Sequence, residues 1–244
     1  MTSGDTTRTD LVLSGVPEGF DALILADALI DASRAGGPGA ILHVARDDRR
    51  LDALEQGLAF FAPDVRVISF PAWDTVPYDR IGPNAEIVAK RVTALAKLAL
   101  AGGKEPTIVL TTVNAILQRV PPRTFIKQSL RPLAAGQRVD RSKLIERLEQ
   151  AGFTRSSSVM EPGEYAVRGG IVDVFPPGRQ NPVRLDFFGD TLESIKAFEA
   201  QSQRTTKPVQ KLVLMPISEA AHGDAAIAEF RRRYVANLLH DTAG

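Results

Sequence analysis

The sequence predicts an α/β protein in which a parallel-sheet, Rossmann-like domain carries an inserted α+β domain with an antiparallel sheet. Two observations predict this fold class. Strand-like and helix-like segments alternate over residues 11–120, which is typical of a parallel sheet with helices on both faces. From residue 153 onwards the pattern changes to short strands of alternating polarity, which is typical of an antiparallel sheet.

The elements of the first part follow from apolar runs and from the residues that bound them. Each predicted helix has apolar residues at helical spacing and ends near glycine or proline. Asp47 and Asn84 are predicted to cap two of these helices. The strands are expected at residues 11–13, 40–45, 65–70 and 107–112. The helices are expected at residues 21–34, 48–62, 85–101 and 114–119.

The second part begins after Pro122. Residues 119–143 contain seven basic residues and one acid, Asp140, and form either a basic binding surface or a solvated linker. Asp140 is predicted to cap a helix that Gly152 ends. Strands are expected at residues 156–160, 165–168, 171–175, 183–188 and 192–198. A further strand from residue 211 and a basic helix over residues 224–239 complete the chain.

Composition excludes several classes of protein. The 244 residues contain no cysteine, which excludes a disulfide scaffold, a thiol nucleophile and Cys-ligated zinc, and fits a reducing cytoplasm. The three histidines are far apart in sequence, so no metal site is expected. The net charge of +1 indicates that any nucleic-acid binding is local. No apolar run approaches the roughly 20 residues that span a membrane, so no membrane contact is expected.

Gly15 lies where a phosphate-binding loop would begin, between a predicted strand and a predicted helix. Such a loop ends in Gly-Lys-Ser/Thr, because the lysine neutralises phosphate and the hydroxyl binds magnesium. Counted from Gly15, those positions hold Phe20, Asp21 and Ala22. The segment is therefore either a degenerate phosphate loop or an ordinary strand–helix turn. Neither supports ATP hydrolysis, and no other catalytic constellation is present, so this segment is not expected to be an enzyme.

Four sequence strings carry a resemblance to a known family. They read FPAWDTVPYD at residues 70–79, GEYAVRGGIVDVFPPG at residues 163–178, VRLDFFGD at residues 183–190 and SQRT at residues 202–205. The chain resembles the N-terminal region of bacterial transcription-repair coupling factors (Mfd) from about residue 11 to its end. It is also similar to the excision-repair protein UvrB. UvrB, however, has an intact phosphate loop and a long aromatic hairpin where this chain has only residues 79–83 before the helix at Asn84.

The resemblance implies three domains: domain 1a at residues 1–120, domain 2 at residues 121–207 and the start of domain 1b at residues 208–244. Mfd proteins are much longer, so the chain is expected to be a fragment. The resemblance places contacts with RNA polymerase and DNA, and the ATP and magnesium sites of the motor, in domains that this segment lacks. No cofactor is expected for the segment itself.

Alternation along residues 183–188 predicts a binding face. Residues two apart in a strand share a face, so Val183, Leu185 and Phe187 are expected to be buried. Arg184 and Phe188 then lie on the opposite, polar face. A Gly189-Asp190 turn would pair Phe188 with Thr191. An exposed aromatic residue beside arginine is typical of an interface hot spot. Alternatively, Phe188 folds under a loop and Arg184 pairs with Asp186 or Asp190.

The family resemblance favours the binding interpretation. Domain 2 of Mfd and UvrB docks on UvrA, the damage-recognition ATPase. Matched string by string, the UvrA-contacting residues fall on Arg168, Arg184 and Phe188. Arg168 precedes Gly169 and Gly170, whose missing side chains are expected to leave its guanidinium accessible. The resemblance also implies that a C-terminal domain of the intact protein masks this surface.

Two other functions are considered. The chain could be an ATPase or helicase fragment that acts on DNA, in which case nucleotide would stabilise it. It could also bind DNA directly through residues 119–143 or through the run Arg231, Arg232 and Arg233, with a strong dependence on salt.

Overall fold

The computed structural model describes residues 11–37, 39–75, 82–102, 105–220, 227–229 and 231–233, and within them the chain forms three sheets. The helices are α1 (Phe20–Arg34), α2 (Asp48–Phe61), α3 (Ala85–Leu100), α4 (Val113–Ile116), α5 (Arg123–Ser129) and α6 (Arg141–Gln150). The first strands are β1 (Ala40–Ala45), β2 (Arg66–Phe70), β3 (Thr107–Thr112) and β4 (Arg131–Ala134). The others are β5 (Thr154–Arg155), β6 (Glu164–Arg168), β7 (Ile171–Val174), β8 (Val183–Phe188), β9 (Thr191–Phe198), β10 (Thr205–Pro208) and β11 (Lys211–Leu214).

The first sheet is parallel, with strand order β1-β3-β2. Helices α1 and α2 bury Leu29 and Leu54 against Ile108 of β3 on one face. Helix α3 packs Leu95 against Ile68 of β2, in a separate core cluster. The predicted helix–strand alternation and the mixed α/β class are therefore confirmed.

The strand predicted at residues 11–13 is wrong. Leu11 and Val12 are 79% and 87% exposed, and in the described part of the chain β1 pairs only with β3. Three apolar residues bury little surface, and that gain does not offset the entropy lost by fixing a strand. The parallel sheet of the described residues therefore has three strands.

Side-chain caps begin the helices where the sequence predicts them. The Asp47 carboxylate accepts a hydrogen bond from the backbone N–H of Arg50 at 2.8 Å, and the Asn84 amide oxygen accepts one from Glu86 at 2.8 Å. The Asp140 carboxylate accepts from the backbone N–H of Lys143 at 3.1 Å. Each cap satisfies a backbone donor that has no partner within its helix.

The second sheet has six strands in the order β10-β9-β8-β7-β6-β5. All neighbours are antiparallel except β5 and β6, which are parallel. One face packs against α6 and against the antiparallel pair of β4 and β11. Tyr165 is fully buried there, where burial and the hydrogen bond from its hydroxyl to Glu149 raise the pKa of Tyr165 to about 12.

One strand of the second sheet was predicted in the wrong place. Residues 156–160 are not a strand, and the edge strand β5 lies earlier in the chain. The Ser156 hydroxyl donates to the carbonyl of Ser158 at 2.8 Å. Such local side-chain bonds compete with a strand ladder, which explains why the serine-rich segment turns instead.

Residues 119–143 are structured rather than a linker, because they contain α5 and β4. The Arg123 guanidinium donates to the carbonyls of Ala99 and Ala101 at the C-terminal end of α3. Of the predicted helix at residues 224–239, residues 227–229 and 231–233 are helical, and the others lie outside the described residues. There, Arg232 and Arg233 both pair with Glu229.

Candidate protein-docking surface

The outer face of the six-stranded sheet is the face that points away from α6, and it carries the predicted docking residues. Along β8, Val183, Leu185 and Phe187 are buried against α6, as the alternation predicts. Arg184, Asp186 and Phe188 therefore lie on the outer face.

Phe188 is the most exposed residue of β8, with 77% of its surface accessible. It pairs with Thr191 across the hairpin, as predicted. Gly189 in the turn has φ +58°, in the left-handed region that glycine adopts without strain. The ring therefore stands at the tip of the β8–β9 hairpin without a covering loop, which contradicts the alternative in which it folds under one.

Arg184 is paired within its own chain, so the interpretation in which its guanidinium is free beside Phe188 is wrong. Its partner is Asp173, and not Asp186 or Asp190 as the alternative interpretation expected. Its Nε and an Nη each donate to the Asp173 carboxylate at 2.8 Å, and the Arg184 side chain is only 18% exposed. The guanidinium also lies 4.9 Å from the centre of the Phe198 ring. The hydrogen bonds that Arg184 donates to the Asp173 carboxylate raise the pKa of Arg184. A carboxylate that is 1% exposed requires a compensating charge, and Arg184 supplies it.

Sequence reasoning missed Asp173 as the partner of Arg184. The two residues are directly opposite each other in the β7–β8 ladder. Directly opposite residues of opposite charge stabilise a sheet. The register that brings them together depends on the path of residues 175–182, which the alternation pattern does not specify.

Arg168 is exposed at the end of β6, and one of its Nη atoms donates to the carbonyl of Ser157 at 2.8 Å. Gly169 and Gly170 follow Arg168, and Gly170 also allows two backbone segments to approach each other closely. A Cβ at Gly170 would lie 2.7 Å from the Phe187 carbonyl oxygen, and the Phe187 N–H donates to the Gly170 carbonyl at 2.8 Å. The β6–β7 turn therefore packs directly on the backbone beside Phe188.

Two carboxylates of the outer face are compensated internally. Asp173 is paired with Arg184, as described above. Asp186 accepts from the Ser194 hydroxyl at 2.7 Å and from the Lys196 ammonium at 3.2 Å. Neither of these two carboxylates is therefore left without a compensating positive charge.

The positions that the sequence analysis compared with a phosphate loop contribute to helix packing. Gly15 and Gly19 have φ of +72° and +89°, and Phe20, which is 49% exposed, begins α1. Asp21 accepts from the Arg50 guanidinium of α2 at 2.6 Å. Ala22 is 1% exposed. It packs so closely on α2 that a Cβ added to Gly57 would lie 2.8 Å from the Cβ of Ala22. The first turn of α1 thus contacts α2.

A buried arginine in the first part was not identified from the sequence as a structural centre. Arg91 of α3 is fully buried between the rings of Phe70 and Trp73, with its guanidinium carbon 4.2 Å and 4.3 Å from the ring centres. It donates to both carboxylate oxygens of Glu219 and to the carbonyl of Pro71. The FPAW string is therefore part of a packed polar core.

Within the described residues, no group of three or more His, Asp or Glu side chains could hold a metal ion. Across the same part of the chain, no helix combines the length and apolar character needed to cross a membrane.

Residues 132–219, which include all of the six-stranded sheet, match the family model of the UvrB interaction domain. The transcription-repair-coupling factor of Escherichia coli (strain K12) is 34% identical over 203 residues, which are 83% of this chain. The chain is homologous to a segment of the transcription-repair-coupling factors. The Myxococcus xanthus and Rickettsia bellii proteins of that name are 39% and 30% identical over 82% and 91% of this chain. It spans 17 to 19% of the length of these three transcription-repair-coupling factors.

Proposed function

We propose that this chain is a non-catalytic recruitment module, the N-terminal part of a transcription-repair-coupling factor, that docks UvrA during nucleotide excision repair in the cytoplasm. The observation that carries the proposal is the 77% exposed ring of Phe188 on the outer face of a UvrB interaction domain. Contacts with RNA polymerase and DNA, and ATP-driven movement, belong to other parts of the proposed parent. The domain limits 1–120, 121–207 and 208–244 stay part of this proposal.

The chemistry of the surface supports protein docking. Exposed aromatic rings beside arginine are enriched among the residues that dominate binding energy. Phe188 is at the tip of a hairpin whose other face is packed against a core, so little mobility is lost on binding. Arg168 provides a planar guanidinium that can bind a carboxylate with two hydrogen bonds.

Replacement of Phe188 by alanine is expected to weaken UvrA binding by at least ~2 kcal/mol, or roughly 30-fold in Kd. The ring makes few contacts within its own chain, so stability should change little. The measurement is a titration of purified UvrA against each variant. Phe60→Ala is the matched control, because Phe60 is 79% exposed on α2, in the other part of the molecule. Equal Kd values for wild type and Phe188→Ala would refute the proposed docking surface.

A second candidate function is nucleotide binding by a degenerate phosphate-loop domain. It is favoured by Gly15 and Gly19, whose left-handed backbone conformations are compatible with the turn of such a loop. Two residues oppose it. Asp21, which is paired with Arg50, stands where a phosphate loop has its lysine, and the buried Ala22 stands where the loop has its hydroxyl residue. Asp21 would also repel phosphate.

We therefore expect millimolar Mg-ATP to leave the melting temperature of this chain unchanged. A ligand that binds only the folded state raises the melting temperature, so the assay detects binding without requiring hydrolysis. A UvrB protein with an intact phosphate loop serves as the positive control. An increase of several degrees for this chain would favour the nucleotide-binding function.

A further inference from the structure

A segment before α6 extends the outer face beyond β8 and β9. Residues 136–139 lie along the beginning of β9, where the Gly136 N–H donates to Leu192 at 2.7 Å and the Leu192 N–H donates to Gln137 at 2.9 Å. The Val139 N–H donates to the carbonyl of Asp190 at 2.7 Å. These bonds place Arg138 directly opposite Thr191 in an antiparallel bridge.

This register puts Arg138 and Phe188 on the same face. Arg138 is opposite Thr191, and Thr191 is opposite Phe188. Directly opposite residues of antiparallel strands share a face, so the three side chains form one row. Neighbouring strands are about 4.8 Å apart, which puts Arg138 roughly 10 Å from Phe188 along that row. A single partner surface can contact both.

Arg168 lies on the other side of the same ring. It is opposite Ile171, and Ile171 is opposite Asp186, which precedes Phe188 by two residues on β8. The outer face therefore presents one phenyl ring with an arginine on either side.

The ion pair of Arg138 is weak enough to be exchanged for another. Arg138 and Asp190 are 3.7 Å apart, and their side chains are 85% and 61% exposed. Ion pairs between exposed side chains contribute little to stability. Asp173 and Asp186, the neighbouring carboxylates of this face, are already bound to Arg184 and Lys196.

We propose that Arg138 is a further contact residue of the docking surface and that Asp190 competes with partner carboxylates for it. The partner surface would be an acidic protein patch with an apolar socket for the Phe188 ring. This inference rests on the proposed function, since the partner is taken to be UvrA. It adds a residue and an internal competitor that the sequence patterns did not indicate.

The test measures Kd and association rate for UvrA with two variants of opposite expected effect. Arg138→Ala should weaken binding on the order of fivefold, chiefly through slower association, because a peripheral charge steers encounter. Asp190→Asn should strengthen binding by roughly twofold to threefold, because it removes the competing carboxylate. Both effects should shrink as salt is raised from about 0.1 M to 0.5 M.

Matched controls separate the local effect from the change in net charge. Arg34→Ala removes an arginine that is 78% exposed on α1, and Asp64→Asn removes an exposed carboxylate in the loop before β2. Neither should change UvrA binding. Melting temperatures of all four variants should match the wild type, because the four side chains are exposed and the bridge between residues 138 and 191 is made by the backbone.

Phe188→Ala, measured in parallel, distinguishes a failure of the proposed docking function from a failure of the role of Arg138. If Phe188→Ala weakens binding while Arg138→Ala and Asp190→Asn do not differ from their controls, the role of Arg138 is wrong and the docking function stands. If Asp190→Asn weakens binding, the competition is wrong. If Phe188→Ala has no effect, both the docking surface and the role of Arg138 are rejected.

Discussion

Replacement of Arg184 by alanine is expected to lower the free energy of unfolding by about 3–5 kcal/mol, because it leaves a buried charge without its partner. Asp173 is 1% exposed, and both of its carboxylate oxygens accept hydrogen bonds from Arg184. Phe198 would also lose the guanidinium above its ring. Urea denaturation followed by circular dichroism measures the change.

Arg168→Ala is the matched control, because Arg168 is an exposed arginine of the same sheet and its loss should cost no more than about 0.5 kcal/mol. A second control replaces both Arg184 and Asp173 by leucine. Removing both charges should cost less than the single change, since no uncompensated carboxylate remains. An Arg184→Ala variant within about 1 kcal/mol of wild type would contradict this account.

This expectation changes how a binding experiment is interpreted. If Arg184→Ala abolishes UvrA binding, the loss can arise from an altered sheet rather than from a missing contact. The pairing with Asp173 makes Arg184 a positioning residue, which holds β7 and β8 together below the exposed end of the face. Variants at Phe188, Arg168 and Arg138 test contact directly, because their side chains are exposed.

Replacement of Arg91 by alanine is expected to lower the free energy of unfolding by about 3–5 kcal/mol as well. The change removes both hydrogen bonds to Glu219, whose side chain is 9% exposed, and a donor to the Pro71 carbonyl. It also leaves a cavity between Phe70 and Trp73. Trp73 is the single tryptophan of the chain, so its fluorescence reports on this site during urea denaturation.

Two controls accompany Arg91→Ala. Arg91→Lys keeps the charge but lacks the planar fork that donates to Glu219 and stacks between the rings, so it should retain little of the lost stability. Lys90→Ala breaks the exposed pair with Glu86 on the same helix and should cost no more than about 0.5 kcal/mol. Comparable stability of the Arg91→Ala and Lys90→Ala variants would show that the buried cluster is not a stabilising centre.

Local features of the fold could be predicted because short stretches of sequence determine them. Asp47, Asn84 and Asp140 cap helices through bonds to residues two or three positions along the chain. The burial of Leu185 and the exposure of Phe188 follow from the two-residue period of a single strand. The error at residues 11–13 arose because an apolar run indicates a strand only if a neighbouring strand pairs with it.

The amino-acid sequence by itself therefore determined the α/β class, the starts of the three helices capped by Asp47, Asn84 and Asp140, and the side of β8 on which Phe188 lies. Only the tertiary structure decided that Arg184 is bound to Asp173, that Arg91 reaches Glu219, and that Arg138 shares a row with Phe188. The physical reason is the separation along the sequence between the residues that interact. Caps and alternation depend on neighbouring residues, whereas these pairings depend on strand register and on contacts between residues up to 128 positions apart.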